Sequence, residues 1–183
     1  MQSTIDRFVK SLLLDSSKFQ FKLKFVEILS FTRPKGGNYK ELYHGIRDTN
    51  PNNIIDKIKN EGFRMPSWQG NKGYGIYLSS HARYQYLWLG YRAPIMICDV
   101  LEDEELVKRY RAEIGPGYEF VVQDPKLIIP KCVVNYEVSG NWKNIEELQG
   151  GSMWTPPGGF GCPVCDPVFT RCDCELHPTF EKD

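Results

Sequence analysis

Hydrophobic and polar positions alternate with two different periods along this chain, and the changes of period mark out its elements. Ile5, Phe8, Val9 and Leu12 recur at helical spacing, so Ile5 to Leu14 predicts an amphipathic helix with Ser3 or Thr4 as its cap. The period then falls to two. Phe19-Gln20-Phe21-Lys22-Leu23-Lys24-Phe25 puts apolar side chains on one face of a half-buried strand that continues toward Ile28. Arg33 to Asn38 is a turn cluster, and Lys40 to Tyr43 leads into the pair His44-Gly45. Asn50-Pro51 supplies the cap and first position of a second helix, with Ile54, Ile55 and Ile58 as its apolar face and Gly62 as its stop.

A polar loop from Arg64 to Lys72, containing Pro66, Trp68 and Gly70, is a candidate lid. Ser80 is the expected cap of a third helix over Ala82 to Leu89, ending at Gly90, with Tyr84 and Trp88 four apart on one face. The run Pro94 to Leu101, apolar except for Asp99, predicts a buried strand. Glu102 to Arg111 reads as a charged, solvated connection. Tyr118 to Gln123 is β-prone and ends at the Asp124-Pro125 turn, and Leu127-Ile128-Ile129 and Lys131 to Val138 supply more strand. After Ser139-Gly140 the periodicity lapses into Gly150-Gly151, Pro156-Pro157-Gly158-Gly159 and a run of cysteines. The pattern therefore predicts a mixed α/β domain over residues 1–139 and a Gly/Pro/Cys-rich extension over 140–183, with no internal repeat.

Composition narrows this picture only slightly. In 183 residues, 41% hydrophobic and 13% aromatic, there is enough apolar surface for a core. Lys plus Arg and Asp plus Glu both number 23, so global charge favours neither nucleic acid nor membrane. No apolar run approaches the ~20 residues that cross a bilayer, and no basic segment precedes a signal-type apolar core. These features predict an intracellular protein, cytoplasmic or nuclear, with no membrane partner.

Cysteine placement adds chemistry. Cys98 and Cys132 fall inside apolar strand-like runs, where a thiol acts as a small buried hydrophobe. Cys162, Cys165, Cys172 and Cys174 cluster in the extension, a spacing that reads as tetrahedral Zn2+ before it reads as disulfides. His177 is an alternative ligand to Cys174. Four such ligands leave no open position, so the metal would be structural.

Tyr43-His44-Gly45, Gly75-Ile76-Tyr77 and Glu119-Phe120-Val121-Val122 each end or occupy a strand-like run. In that order they resemble the His-Tyr-Glu signature of the poly(ADP-ribose) polymerase-like, diphtheria-toxin-type ADP-ribosyltransferases. The likeness extends over roughly Phe19 to Val138, through Arg47, Thr49, Asn50, Gly62, Arg64, Ile97 to Val100 and the closing run Lys131 to Val138. The resemblance implies an α+β ADP-ribosyltransferase fold, with a split, mainly antiparallel sheet and flanking helices. It implies an enzyme that uses NAD+ as co-substrate, releases nicotinamide and passes ADP-ribose to a protein or nucleic-acid acceptor. It assigns His44, Tyr77 and Glu119 as the catalytic set. His44 would bond the adenosine ribose, with Arg64 near the adenosine; Gly45 backbone would take the nicotinamide carboxamide. Tyr77 would stack on the ring, Trp88 would close an aromatic clamp, and Glu119 would bond the nicotinamide ribose 2′-hydroxyl. The family often has serine three positions before the second aromatic, where this chain has Gln85, a different carboxamide partner. Two rivals stand beside the enzyme: a degenerate binder of NAD+ or ADP-ribose, and a zinc-dependent interaction module on the same scaffold. Gly70 to Gly75 lacks the spacing and the βαβ context of a dinucleotide-fold loop.

Overall fold

The computed structural model of the chain describes residues 1–12, 19–46, 50–67, 69–89, 94–112 and 117–140. Cys162, Cys165, Cys172, Cys174 and His177 lie outside the described residues, as does the remainder of the expected extension. Three helices, α1 (Gln2–Leu12), α2 (Pro51–Glu61) and α3 (Ala82–Leu89), are interleaved with seven strands. The strands are β1 (Phe19–Ile28), β2 (Tyr39–Gly45), β3 (Ile76–Ser79), β4 (Ile95–Leu101), β5 (Val107–Arg111), β6 (Tyr118–Val122) and β7 (Ile128–Gly140). They form one sheet in the order β1-β7-β4-β2-β3-β6-β5, and every neighbouring pair is antiparallel. The class is α+β.

Helices cover both faces of the sheet, which explains why β4 is apolar on both faces except at Asp99. Met96, Cys98 and Val100 point to the α2 side, against Ile55 and Ile58, while Ile95 and Ile97 join the α1 side. On that second face Phe8 of α1 is fully buried. Its ring lies edge-on to Tyr136 at 5.6 Å and tilted against Tyr43 at 6.0 Å and Phe21 at 6.2 Å. Truncating such an anchor to alanine costs about 3–5 kcal/mol, because transfer and cavity losses add. The α1 helix also serves α3. Ser11 Oγ accepts from the Ala82 N–H at 3.1 Å, filling the cap that the sequence assigns to Ser80.

Pro51 opens α2, and Gly62 closes it with an N–H bond to the Ile58 carbonyl at 2.8 Å. The α1 helix begins one residue before Ser3, so neither Ser3 nor Thr4 is its cap, and Val9 is exposed. Ser80 Oγ instead accepts from the Tyr118 N–H at 2.8 Å, stitching the end of β3 to the start of β6. The charged connection contains an edge strand, β5, whose Lys108, Arg109 and Arg111 suit an exposed edge that should not recruit another chain. The two segments around Pro130 merge into one long strand. A register shift opposite Ile97 and Cys98 leaves Lys131 as the extra residue, a bulge beside a proline that has no N–H to give the ladder.

That bulge sends Lys131 between two carboxylates. Glu41 and Asp99 face each other across β2 and β4, an arrangement that would repel without a cation. Lys131 Nζ lies 2.8 Å from Glu41 and 3.3 Å from Asp99, and Arg7 of α1 reaches Glu41 at 2.8 Å. Burial pushes the Glu41 carboxyl upward, but the bonds from Arg7 and Lys131 outweigh it and hold the group below its ordinary range. Cys98 and Cys132 are buried and reduced, on opposite faces of the sheet, and burial raises both thiols, Cys132 to about 11. They are packing residues. No helix among the described residues is long and apolar enough to cross a membrane.

One seam in the sheet positions everything that follows. β2 pairs with β4 along its whole length, from Tyr39 opposite Leu101 to Gly45 opposite Ile95. With β3 it pairs only at Tyr43 opposite Ser79. The sheet is thus two halves, β1-β7-β4-β2 and β3-β6-β5, that meet at a single registered pair and part beyond it.

Candidate active site at the divided sheet

His44 and Gly45 end β2 where it leaves β3. The His44 Nδ1 atom lies 2.8 Å from the Tyr77 carbonyl on the other side of the gap. A carbonyl only accepts, so Nδ1 carries the hydrogen and the neutral ring keeps its lone pair on Nε2. Burial lowers the His44 pKa and the bond to the Tyr77 carbonyl raises it; burial wins, and the net shift is downward. The imidazole is therefore neutral at pH 7, with a fixed tautomer. Its edge packs on Phe63 with ring centroids 5.1 Å apart at 87°, so the residue just past α2 fixes the ring plane. By alternation with Leu42 and Ile46, His44 sits on the α2 side of the gap.

Tyr77 faces the other way. Its neighbours Ile76 and Leu78 enter the α2-side core, which turns Tyr77 and Ser79 toward α3. The Tyr77 hydroxyl donates to the Gly73 carbonyl at 2.7 Å and accepts from the Lys72 N–H at 3.0 Å. A tight turn, closed by the Gly73 N–H bond to the Gly70 carbonyl at 3.0 Å, therefore grips the hydroxyl end, and Tyr110 Oη donates to the Lys72 carbonyl at 3.2 Å from β5. The C-terminal end of the expected lid is this pinned turn. Two glycines make it possible. A Cβ at Gly70 would come within 2.6 Å of Tyr77 Cζ, and one at Gly75 within 2.8 Å of the Val122 carbonyl oxygen. Tyr77 remains partly exposed, with its hydroxyl committed and its ring held in one plane.

Glu119 lies on β6, opposite Ser79 on β3 and Tyr110 on β5. Phe120 and Val122 point into the α2-side core, so Glu119 shares the α3 side with Tyr77, its diagonal neighbour across the β3–β6 pair. Such neighbours stand roughly 7–8 Å apart. The carboxylate is buried, at 7% exposure. Burial, with Glu119 and Tyr110 adding to it, holds the Tyr77 phenol above its ordinary range despite the Lys72 N–H bond. Three residues far apart in the chain thus occupy β2, β3 and β6, which are consecutive in the sheet.

Gln85 completes the site in a way the sequence does not reveal. From α3 its Oε1 accepts from the Gly45 N–H at 3.2 Å, and its Nε2 donates to Ser79 Oγ at 3.2 Å. Ser79 Oγ in turn donates to the His81 carbonyl at 2.8 Å. Gln85 and Ser79 are both buried, so a side-chain amide spans the two halves close to the seam. Arg64, expected near this site, is exposed and pairs with Glu61 at 2.6 Å at the end of α2. Trp88 belongs to α3, but its side chain lies outside the described residues. Among the described residues no group of His, Cys, Asp or Glu is arranged to hold a metal ion. Ser79 and Tyr110, which anchor Gln85 and the turn, went unnoticed in the sequence, because a serine and a tyrosine within strand-like runs carry no distinguishing pattern there.

Comparison with protein-family models finds no match, and comparison with curated proteins finds none either.

Proposed function

We propose that this chain is an NAD+-dependent ADP-ribosyltransferase whose site lies at the seam between the two half-sheets. The observation that supports the reading is that His44, Tyr77 and Glu119 lie on three consecutive strands, His44 on the α2 side of the gap and Tyr77 and Glu119 on the α3 side, with His44 bonded to the Tyr77 backbone carbonyl where the strands part. The finer fold belongs to the same proposal: a sheet split between β2 and β3 has the form that the His-Tyr-Glu resemblance implies.

The residues suit the ligand. The Gly45 N–H already bonds an amide oxygen, that of Gln85, so the chemistry of this donor matches a primary carboxamide such as nicotinamide. The Tyr77 ring, clamped by its hydroxyl, is preorganised to stack on a flat heterocycle, and stacking on a pyridinium gains from the ring's negative face. The neutral His44 offers Nε2 as an acceptor for a ribose hydroxyl. Glu119 supplies a buried carboxylate on Tyr77's side of the sheet. Loss of nicotinamide leaves positive charge on the ribose, and a fixed carboxylate is worth most where such charge develops. The acceptor is a protein or a nucleic acid. Nicotinamide release from labelled NAD+, followed by mass spectrometry of the products, tests the reading; binding without release sinks the enzyme.

A second reading, a degenerate NAD+ or ADP-ribose binder, draws support from one observation: Gln85 occupies the Gly45 N–H that a carboxamide ligand would use. The intact His44, Tyr77 and Glu119 set favours turnover. For the Cys-rich extension the proposal is one structural Zn2+ held by Cys162, Cys165, Cys172 and Cys174, with His177 as an alternative ligand, supported by their spacing.

A further inference from the structure

The Gln85 side chain ends in a primary carboxamide, the same group that nicotinamide carries on its ring. In the fold this amide is bound at both ends, through Oε1 to the Gly45 N–H at 3.2 Å and through Nε2 to Ser79 Oγ at 3.2 Å. Gln85 is 8% exposed and Ser79 is fully buried. Gly45 is half-buried and its one N–H is already engaged by Gln85 Oε1, so a ligand oxygen gains a full hydrogen bond at Gly45 only by taking the place of that oxygen.

We propose that Gln85 is an internal carboxamide that competes with the ligand's own for the Gly45 N–H, and so sets how tightly the site holds nicotinamide-type amides. The inference rests on the transferase reading and goes beyond it, because it assigns Gln85 a role opposite to that of a ligand-binding residue. Binding exchanges one neutral hydrogen bond for another at Gly45, and the ligand amide gains little net free energy there. Ser79 Oγ lies between β3 and the start of α3 and can keep hold of Gln85 Nε2 while Oε1 moves aside. Glutamine, with two flexible torsions more than serine, has the reach to act as such a latch, and a serine at this position would not span to Gly45 from the helix in the same way. The arrangement favours ligands that draw their affinity from the ribose and adenosine ends over small amides that depend on the carboxamide alone.

The test compares the full-length wild type with Gln85→Ser and Gln85→Ala, all first checked for cooperative melting. The probes are nicotinamide, NAD+ and 3-methylpyridine, in which a methyl group replaces the amide. Removal of the competitor should tighten nicotinamide binding about 5- to 10-fold, the weight of one neutral hydrogen bond, and leave 3-methylpyridine unchanged. A second measurement needs no variant. In wild-type protein, saturation with nicotinamide should shift the Gln85 side-chain NH2 resonances together with the Gly45 amide resonance. Unchanged or weaker nicotinamide binding in both variants overturns the proposal while leaving the transferase reading intact, provided NAD+ still binds. A wild-type Gln85 NH2 signal that stays put at saturation does the same. If no form of the protein binds NAD+ or nicotinamide, the transferase reading itself fails and takes this inference with it.

Discussion

Replacing His44 with Phe keeps a flat ring against Phe63 and removes both ring nitrogens, of which Nδ1 bonds the Tyr77 carbonyl at 2.8 Å across the seam. A hydrogen bond of this kind contributes about 1–1.5 kcal/mol net. For a chain of this size each kcal/mol moves the melting temperature by roughly 2–4 °C, so His44→Phe should melt roughly 2–6 °C lower. His44→Ala also loses the edge-to-face pair, about 0.5–1.5 kcal/mol, and leaves a partial cavity, so its total cost should be about 3 kcal/mol. Urea titration should show lower midpoints with unchanged slopes. The pH dependence adds a second check. The folded pKa of His44 lies below its ordinary value of 6.5, so between the two values the unfolded chain binds the extra proton and stability rises with pH. The contribution is complete above 6.5 and is lost as pH falls through the depressed folded pKa; His44→Phe should abolish that part of the slope. A Phe variant as stable as wild type at pH 7.5, with the slope intact, would refute the claim that His44 ties the halves together.

Other consequences are open to direct measurement. Lys131→Met leaves Glu41 and Asp99 facing each other with less compensation, and a partly buried pair broken on one side should cost about 1–3 kcal/mol; Glu41→Gln in the same chain should recover part of it, and simple additivity in urea would contradict the network. Gly70→Ala drives a methyl into the Tyr77 ring, so it should displace the turn, destabilise by about 1–3 kcal/mol and weaken NAD+ binding; an unshifted Tyr77 ring resonance would count against the turn as its clamp. The extension should carry one zinc per chain, and chelation should leave the melting of the sheet domain unchanged. Metal analysis without zinc, together with cysteines that alkylate in the native protein, removes that site.

Much of the fold was legible because the signals were local. The Pro51 start and Gly62 stop of α2 and the largely apolar run of β4 are signals carried by neighbouring residues, whereas the period-two run at Phe19 to Phe25 gives the strand but not its burial: Leu23 and Phe25 are exposed, and the register shifts between them. β5 was hidden because an exposed edge strand gains nothing from apolar alternation, and Val107-Lys108-Arg109-Tyr110-Arg111 looks like solvated coil. The Lys131 bulge was hidden because register depends on the partner strand. For the candidate site, His44, Tyr77 and Glu119 stand out in the sequence through their likeness to the His-Tyr-Glu signature, and their place on consecutive strands comes from the fold. What Gln85 does was not, since its two partners, Gly45 and Ser79, are 40 and 6 residues away and only the fold brings them to one amide.

The central claim, that the seam binds NAD+ and breaks its bond to nicotinamide, turns on Glu119. Glu119→Gln keeps the size and hydrogen-bonding capacity of the side chain and removes its charge, so it separates stabilisation of developing ribose charge from binding. The decisive measurement is the rate of nicotinamide release alongside calorimetric NAD+ affinity, for wild type and Glu119→Gln. Wild type should release nicotinamide, and Glu119→Gln should do so roughly 10²–10³-fold more slowly with NAD+ affinity nearly unchanged. A wild type that binds NAD+ but releases no nicotinamide to water or any acceptor tried, with the variant indistinguishable from it, contradicts the account and makes the protein a binder.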